Sequence, residues 1–157
     1  MKSLNQIRFL IALLMLVTLF SSAGVLLAQD TGLVTVQSKS SFNNTVDAFR
    51  KMVAKNQIMV MAEVNHGKIL SMTGLKLNGM SLFIGSPTVG KKLFSANKGV
   101  GVAVPIRVNI YQDDDGKTYI NYTKPSAQLA AFGNKKINMV AKMLDGKLQN
   151  LTSMLSK

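Results

Sequence analysis

Apolar and polar positions recur with clear periods over most of the chain beyond residue 32. Leu33 to Gln37 reads LVTVQ, the period-two alternation of a strand that buries one face. Phe42, Val46, Phe49 and Val53 then recur at spacings of 4, 3 and 4, which puts them on one side of a helix. Ser40 or Ser41 suits its N-cap, and the helix is expected to end about Asn56, in the left-handed conformation that closes many helices. Ile58 to Val64 predicts a second strand, with Met59 and Met61 on one face and expected to fill core. Met80 to Ile84 predicts a third. Gly85-Ser86-Pro87 turns out of that strand into a short helix ending near Asn97, with Ser86 as cap and Pro87 at the first helical position. Val102 to Gln112 leads through Asp113-Asp114-Asp115-Gly116 into Lys117 to Tyr122, the clearest hairpin in the chain. From Asn134 to Leu155 a stripe of Ile137, Val140, Ala141, Met143, Leu144, Leu148, Leu151 and Leu155 predicts an amphipathic helix packed on the sheet. Gly146 within it costs about 1 kcal/mol against Ala and offers a point to bend. Strands and helices interspersed in this way, without repeats, predict one α+β domain.

The segment before residue 29 follows a different logic. Lys2 and Arg8 precede the apolar run Phe9 to Phe20 and then small residues, the layout of a secretory leader cut after Ala28 or, alternatively, after Ala23. The competing reading is an uncleaved anchor, because Phe9 to Ala28 is about long enough to span a bilayer. Cleavage at Ala28 leaves residues 29–157 as the domain, and export places it in the periplasm or outside the cell.

Composition narrows the chemistry. The 157 residues carry 19 Lys+Arg against 7 Asp+Glu, a formal charge of +12, with 47% hydrophobic residues, one His and no Cys. A chain this apolar folds rather than remaining a disordered polycation. The lack of Cys excludes a disulfide scaffold, a thiolate zinc site, an iron-sulfur centre and a cysteine nucleophile. Removing the leader takes away only two of the basic residues and none of the acids, so the domain stays strongly basic. For an exported protein the polyanion to expect is an envelope component such as a phospholipid head group, lipopolysaccharide or an acidic glycan, and not nucleic acid. A membrane would then be met through an uncleaved leader or a peripheral basic face. Lys135, Lys136, Lys142 and Lys147 lie off the apolar stripe and read first as a solvated helix face.

Four runs in order carry a resemblance: Ala62-Glu63-Val64-Asn65-His66-Gly67, then Gly85-Ser86-Pro87, then Val104-Pro105-Ile106-Arg107-Val108 continuing to Tyr111, Asp114 and Gly116, then Tyr122-Thr123-Lys124-Pro125. Over about residues 33–133 the chain resembles the domain of unknown function 302 family. The resemblance implies a mainly antiparallel sheet backed by helices, similar to the TATA-binding-protein-like βαβββα layout, and frequent dimerisation. It imports no activity. Two positions depart from the family pattern: Ser86 stands where Asn is usual, and Asn65 where Asp is usual before the His. A site that used the acidic residue to orient its imidazole would be altered here.

Candidate chemistry is sparse. Gly85 to Lys92 has the Gly, four residues, Gly-Lys spacing of a phosphate-binding loop, but Lys92 replaces the Mg²⁺-binding hydroxyl and Pro87 removes a backbone N–H from the cradle. Nucleotide hydrolysis is therefore rejected. Asp113 to Asp115 lacks the ligand spacing of a calcium loop, no Gly-x-Ser-x-Gly elbow is present, and the sequons at Asn43, Asn121 and Asn150 are read as chance. What remains is a non-catalytic binding or structural module for a small or anionic envelope ligand, held near His66, Gly85, Ser86 and Pro87 with Lys91 and Lys92, and formed across a homodimer. No cofactor is implied. The alternatives are an enzyme using His66, or a soft-metal binder in which His66, Met72 and Met80 hold copper.

Overall fold

The computed structural model describes residues 31–156; the leader reading falls outside the described residues. Five strands and five helices follow in the order β1 (Leu33–Gln37), α1 (Phe42–Lys55), β2 (Met59–Asn65), α2 (His66–Ser71), β3 (Gly79–Gly85), α3 (Pro87–Ala96), β4 (Ile106–Gln112), β5 (Thr118–Thr123), α4 (Pro125–Leu129) and α5 (Lys135–Ser153). Single 3₁₀ segments at Lys98–Val102 and Ala130–Phe132 complete the path. The strands form one sheet in the order β1-β5-β4-β3-β2, every neighbouring pair antiparallel. The fold is α+β, as the periodicity predicts.

Alternation along the strands gives the sheet two unlike faces. One presents Leu82 and Ile84 from β3, Val108 and Ile110 from β4, and Ile120 and Tyr122 from β5, all buried. Val46, Phe49 and Val53 of α1 and Leu148 and Leu151 of α5 close over it as a single apolar cluster. A second cluster, Leu93, Val100, Ala103, Leu129, Ile137 and Ala141, gathers α3, α4 and the first half of α5 beside the sheet.

Several local expectations shift for identifiable reasons. Asn56 is not left-handed, at φ −96°; the positive φ falls on Gln57, at 57°. Gln57 N–H donates to the Ala54 carbonyl at 3.1 Å and Ile58 N–H to the Val53 carbonyl at 3.0 Å, so the left-handed residue is the one after the cap, as this closing motif requires. Met59 and Met61 do not fill core: they are 54% and 50% exposed, because β2 is an edge strand with a register shift between Val60 and Ala62. Met143 is half-exposed rather than on the buried stripe, whereas α5 runs through Gly146 unbroken. The extended run from Val102 divides into a 3₁₀ turn and a strand that begins only at Ile106. Two short helices, α2 and α4, have no period-based signal, since six and five residues are too few to show one. The Asp-Gly hairpin forms: Asp113 N–H donates to the Lys117 carbonyl at 2.9 Å, Asp113 Oδ1 accepts from Lys117 N–H at 2.8 Å, and Gly116 supplies the φ of +76°.

The edge strand is tied to α1 by a bidentate ion pair. Arg50 Nε donates to Glu63 Oε1 at 2.8 Å and its Nη2 to Oε2 at 2.6 Å, with Asp47 3.0 Å from Nη1. The hydrogen bonds from Arg50 hold the Glu63 carboxyl below its ordinary 4.5. A depressed carboxyl pKa stabilises the fold above the unfolded-state value, and that gain disappears as pH falls through the folded-state value. Glu63→Gln is therefore expected to lower stability by about 0.5–1 kcal/mol at neutral pH, the scale of a half-exposed pair. Urea titrations at descending pH should show the two proteins converging below pH 4.5; an unchanged gap there would contradict the assignment.

Candidate functional site

The second face of the sheet carries the polar chemistry. Asn65 ends β2 and caps α2, its Oδ1 accepting the Lys68 N–H at 2.8 Å. Asp and Asn serve equally well as N-caps, so the departure at position 65 keeps this role without an acid beside the ring. Gly67 lets the first turn of α2 lie against the chain entering β3: a Cβ there would collide with the Leu77 carbonyl oxygen. Held in this way, His66 reaches over β3, and its Nε2 lies 2.8 Å from Ser81 Oγ.

From Ser81 a hydrogen-bonded row crosses the sheet along one register line, since Ser81 faces Asn109 and Asn109 faces Asn121. Ser81 Oγ is 3.4 Å from Asn109 Oδ1, and Asn109 Nδ2 donates to Asn121 Oδ1 at 3.1 Å. One polarity suits the three bonds of the row: His66 Nε2–H donates to Ser81, whose hydroxyl donates to Asn109, whose Nδ2 donates to Asn121. Asn121 Nδ2 then points onward with no protein partner among the described residues. Two register positions further along, on the same face, the rings of Tyr111 and Tyr119 stack with centroids 5.4 Å apart.

This row lies in a hollow of about 510 Å³ between α2, the sheet and Gln128 of α4, with Leu70 and Leu77 as an apolar wall. Arg107 lines it, is exposed and forms no ion pair among the described residues. Among the described residues no carboxylate lines the hollow, and Arg107 supplies its fixed positive charge.

The residues singled out in the sequence do not converge into one site. His66 acts at Ser81, while Gly85 lies four residues further along β3, about 13 Å at 3.3 Å per residue. Gly85 and Ser86 instead border an apolar cavity, Pro87 starts α3, and Lys91 and Lys92 are exposed on that helix. The phosphate-loop spacing is helical from Pro87 onward, and Gly90 N–H is already donated to the Ser86 carbonyl at 2.8 Å. The soft-metal set separates as well. Met80 packs against the apolar cluster under α1 and α5, Ser81 beside it turns to the opposite face where it meets His66, and Met72 is 86% exposed at the end of α2. Ser81, Arg107, Asn109 and Asn121 were missed by reading motifs. Their signal was the polar half of the alternation in Ile106-Arg107-Val108-Asn109-Ile110 and Ile120-Asn121-Tyr122.

Residues 34–155 match the family described as Domain of unknown function DUF302. The chain belongs to that family. A DUF302 protein of known structure, described as an uncharacterized conserved protein from Bacillus stearothermophilus, superposes with a TM-score of 0.74 at 18% identity, covering 79% of this chain and 98% of that one. The shared architecture is thus that of the DUF302 fold. Among curated proteins, the chain is similar to Fluoride-specific ion channel FluC 1 of Brucella suis biovar 1 (strain 1330), 31% identical over 98 residues, 62% of this chain and 39% of that protein. The channel of the same description from Brucella abortus biovar 1 (strain 9-941) matches at 31% over 98 residues, 36% of its length. The chain therefore spans under two-fifths of these relatives, and no helix among the described residues is long and apolar enough to cross a membrane.

Ser81 is 3% exposed and joins two partners, so its removal strands both. Ser81→Ala is expected to cost about 1–2 kcal/mol in urea unfolding, more than His66→Ala at the rim of the network. Equal losses for the two substitutions would mean that the row does not act as a unit.

Proposed function

We propose that this DUF302 domain is a non-catalytic binding module that takes a small, hydrogen-bonding anion on the polar face of its sheet. The observation that carries this reading is the row from His66 through Ser81 and Asn109 to Asn121, lying beside Arg107, which among the described residues has no ion-pair partner, in a hollow that none of their carboxylates lines. Arg107 supplies charge and a planar fork of donors suited to a carboxylate or phosphate. Asn121 Nδ2 and Gln128 supply neutral polar contacts, and Leu70 and Leu77 shield one side from water. Because the row is fixed by its own hydrogen bonds, the site needs little reordering to accept a ligand.

The leader-like residues 1–28 and the basic composition support an exported setting, so that the anion is met in the periplasm or outside the cell. The fluoride-specific channels that match part of this chain supply an anion-handling context for such a segment; conduction itself is not part of the proposal. A homodimer is compatible with the sheet edges, where Leu33 of β1 and Met59 of β2 are both more than half exposed.

A second reading has one observation in its favour, the 2.8 Å approach of His66 to Ser81, which is the spacing of a base and a hydroxyl nucleophile. Against it stand the burial of Ser81 and the second bond of its hydroxyl to Asn109, which directs the proton away from the ring.

Acetate and inorganic phosphate titrated into the full chain should move the side-chain resonances of Arg107 and Asn121 saturably, and Arg107→Gln should weaken that response while the fold stays intact. Unmoved resonances would remove the binding reading. Ester turnover that Ser81→Ala abolishes would replace it with the enzymatic one.

A further inference from the structure

A second cavity, unrelated to the polar face, lies where the two apolar clusters meet. Its volume is about 180 Å³. Ile84, Ile106 and Leu148 of the sheet-side cluster and Leu93 of the other line it, and Val104, packed against both clusters, sits at the junction. The clusters touch without fusing, and the gap between them opens to the surface past Phe94 and Met61, which are 44% and 50% exposed.

Two features distinguish this gap from an ordinary packing defect. Gly90 lines it from the middle of α3, where glycine weakens a helix relative to alanine. A Cβ at Gly90 would meet nothing within 4 Å, so no neighbouring group demands glycine there; what glycine leaves free is cavity volume. Gly85, the other glycine of the apparent phosphate-loop spacing, borders the same space. That spacing thus places two glycines on one cavity wall, Gly85 against the end of the Met61 side chain and Gly90 facing open space. The second feature is charge: among the described residues Lys147 is the only charged one on the lining.

We infer that this cavity binds an amphipathic monoanion, a short acyl chain or a single ring bearing a carboxylate, with the apolar part between α3 and α5 and the carboxylate at Lys147. Size agrees, since a dry apolar cavity of about 150 Å³ accommodates benzene. The driving force is removal of ligand carbon and of half-exposed Phe94 and Met61 from water, with Lys147 setting the sign of the head group. No bond is made or broken.

Hexanoate and hexylamine serve as probes, titrated into the full 157-residue chain and followed by the methyl resonances of Leu93, Leu144 and Leu148. Hexanoate is expected to shift these methyls saturably and to raise Tm, with hexylamine weaker by about two- to fivefold, the scale of one exposed ion pair. Lys147→Glu should reverse that order. Gly90→Ala should raise the Tm of the unliganded protein yet weaken hexanoate binding, a pairing of effects that general destabilisation cannot produce. Gly90→Leu should fill the space and abolish the shifts. Absence of saturable shifts, or binding indifferent to both Gly90 substitutions, would overturn the inference. So would an unchanged preference in Lys147→Glu, or methyl shifts that track protein concentration without hexanoate, which would mark the opening as a contact between copies.

Discussion

The structure depends on the unequal wetting of one sheet. Strand side chains alternate, so a sheet whose helix-side positions are Leu, Ile and Val must be covered on that side, and the cost of leaving it open would be each of those side chains in water. α1 and α5 supply the cover, with Phe49 and Val53 fully buried against Val108, Ile110 and Ile120. Covering one face releases the other from any duty to the core. There polar and aromatic side chains can be arranged by register alone, and the row from Ser81 to Asn121 is the result.

That division explains why two of the hollows among the described residues differ so much in character. The hollow under α2 is walled by strand residues that the core does not need, so it is polar and carries the Arg107 charge. The cavity between α3 and α5 arises within the apolar layer, where a second cluster built on Leu93, Leu129 and Ile137 abuts the first. The two clusters meet there at Val104, and Gly90 lines the space between them without a side chain. The described residues 31–156 thus offer a hydrogen-bonding surface and a greasy one.

Much of this was legible before any coordinates. β1 begins and ends where LVTVQ does, the hairpin turns at Gly116, and α3 starts at Pro87 after Ser86. These features are local: alternation, a glycine able to take positive φ, a proline whose missing N–H costs nothing at a helix start. The family pattern was legible for the same reason, because its motifs sit on turns and strand ends. The failures are equally instructive. Met59 and Met61 alternate like core residues, but whether a strand is central or at an edge depends on pairing with residues far away in sequence, and β2 has only one neighbour. Asn56 and Gln57 differ by one position in a closing motif that is defined by hydrogen bonds back into the helix, not by residue type alone.

The sequence by itself determined the fold class, the order of the five strands and the three longer helices, and which residues are chemically able to act, because these follow from periodicity and side-chain type. It could not decide which of those residues act together. His66 and Gly85 are 19 positions apart and look like parts of one site, yet they face different hollows. His66 and Asn121 are 55 positions apart and stand at two ends of one hydrogen-bonded row. The physical reason is register. Antiparallel pairing brings distant strands to a fixed offset, and that offset alone sets which polar side chains fall within hydrogen-bond reach and which glycines open onto a shared space.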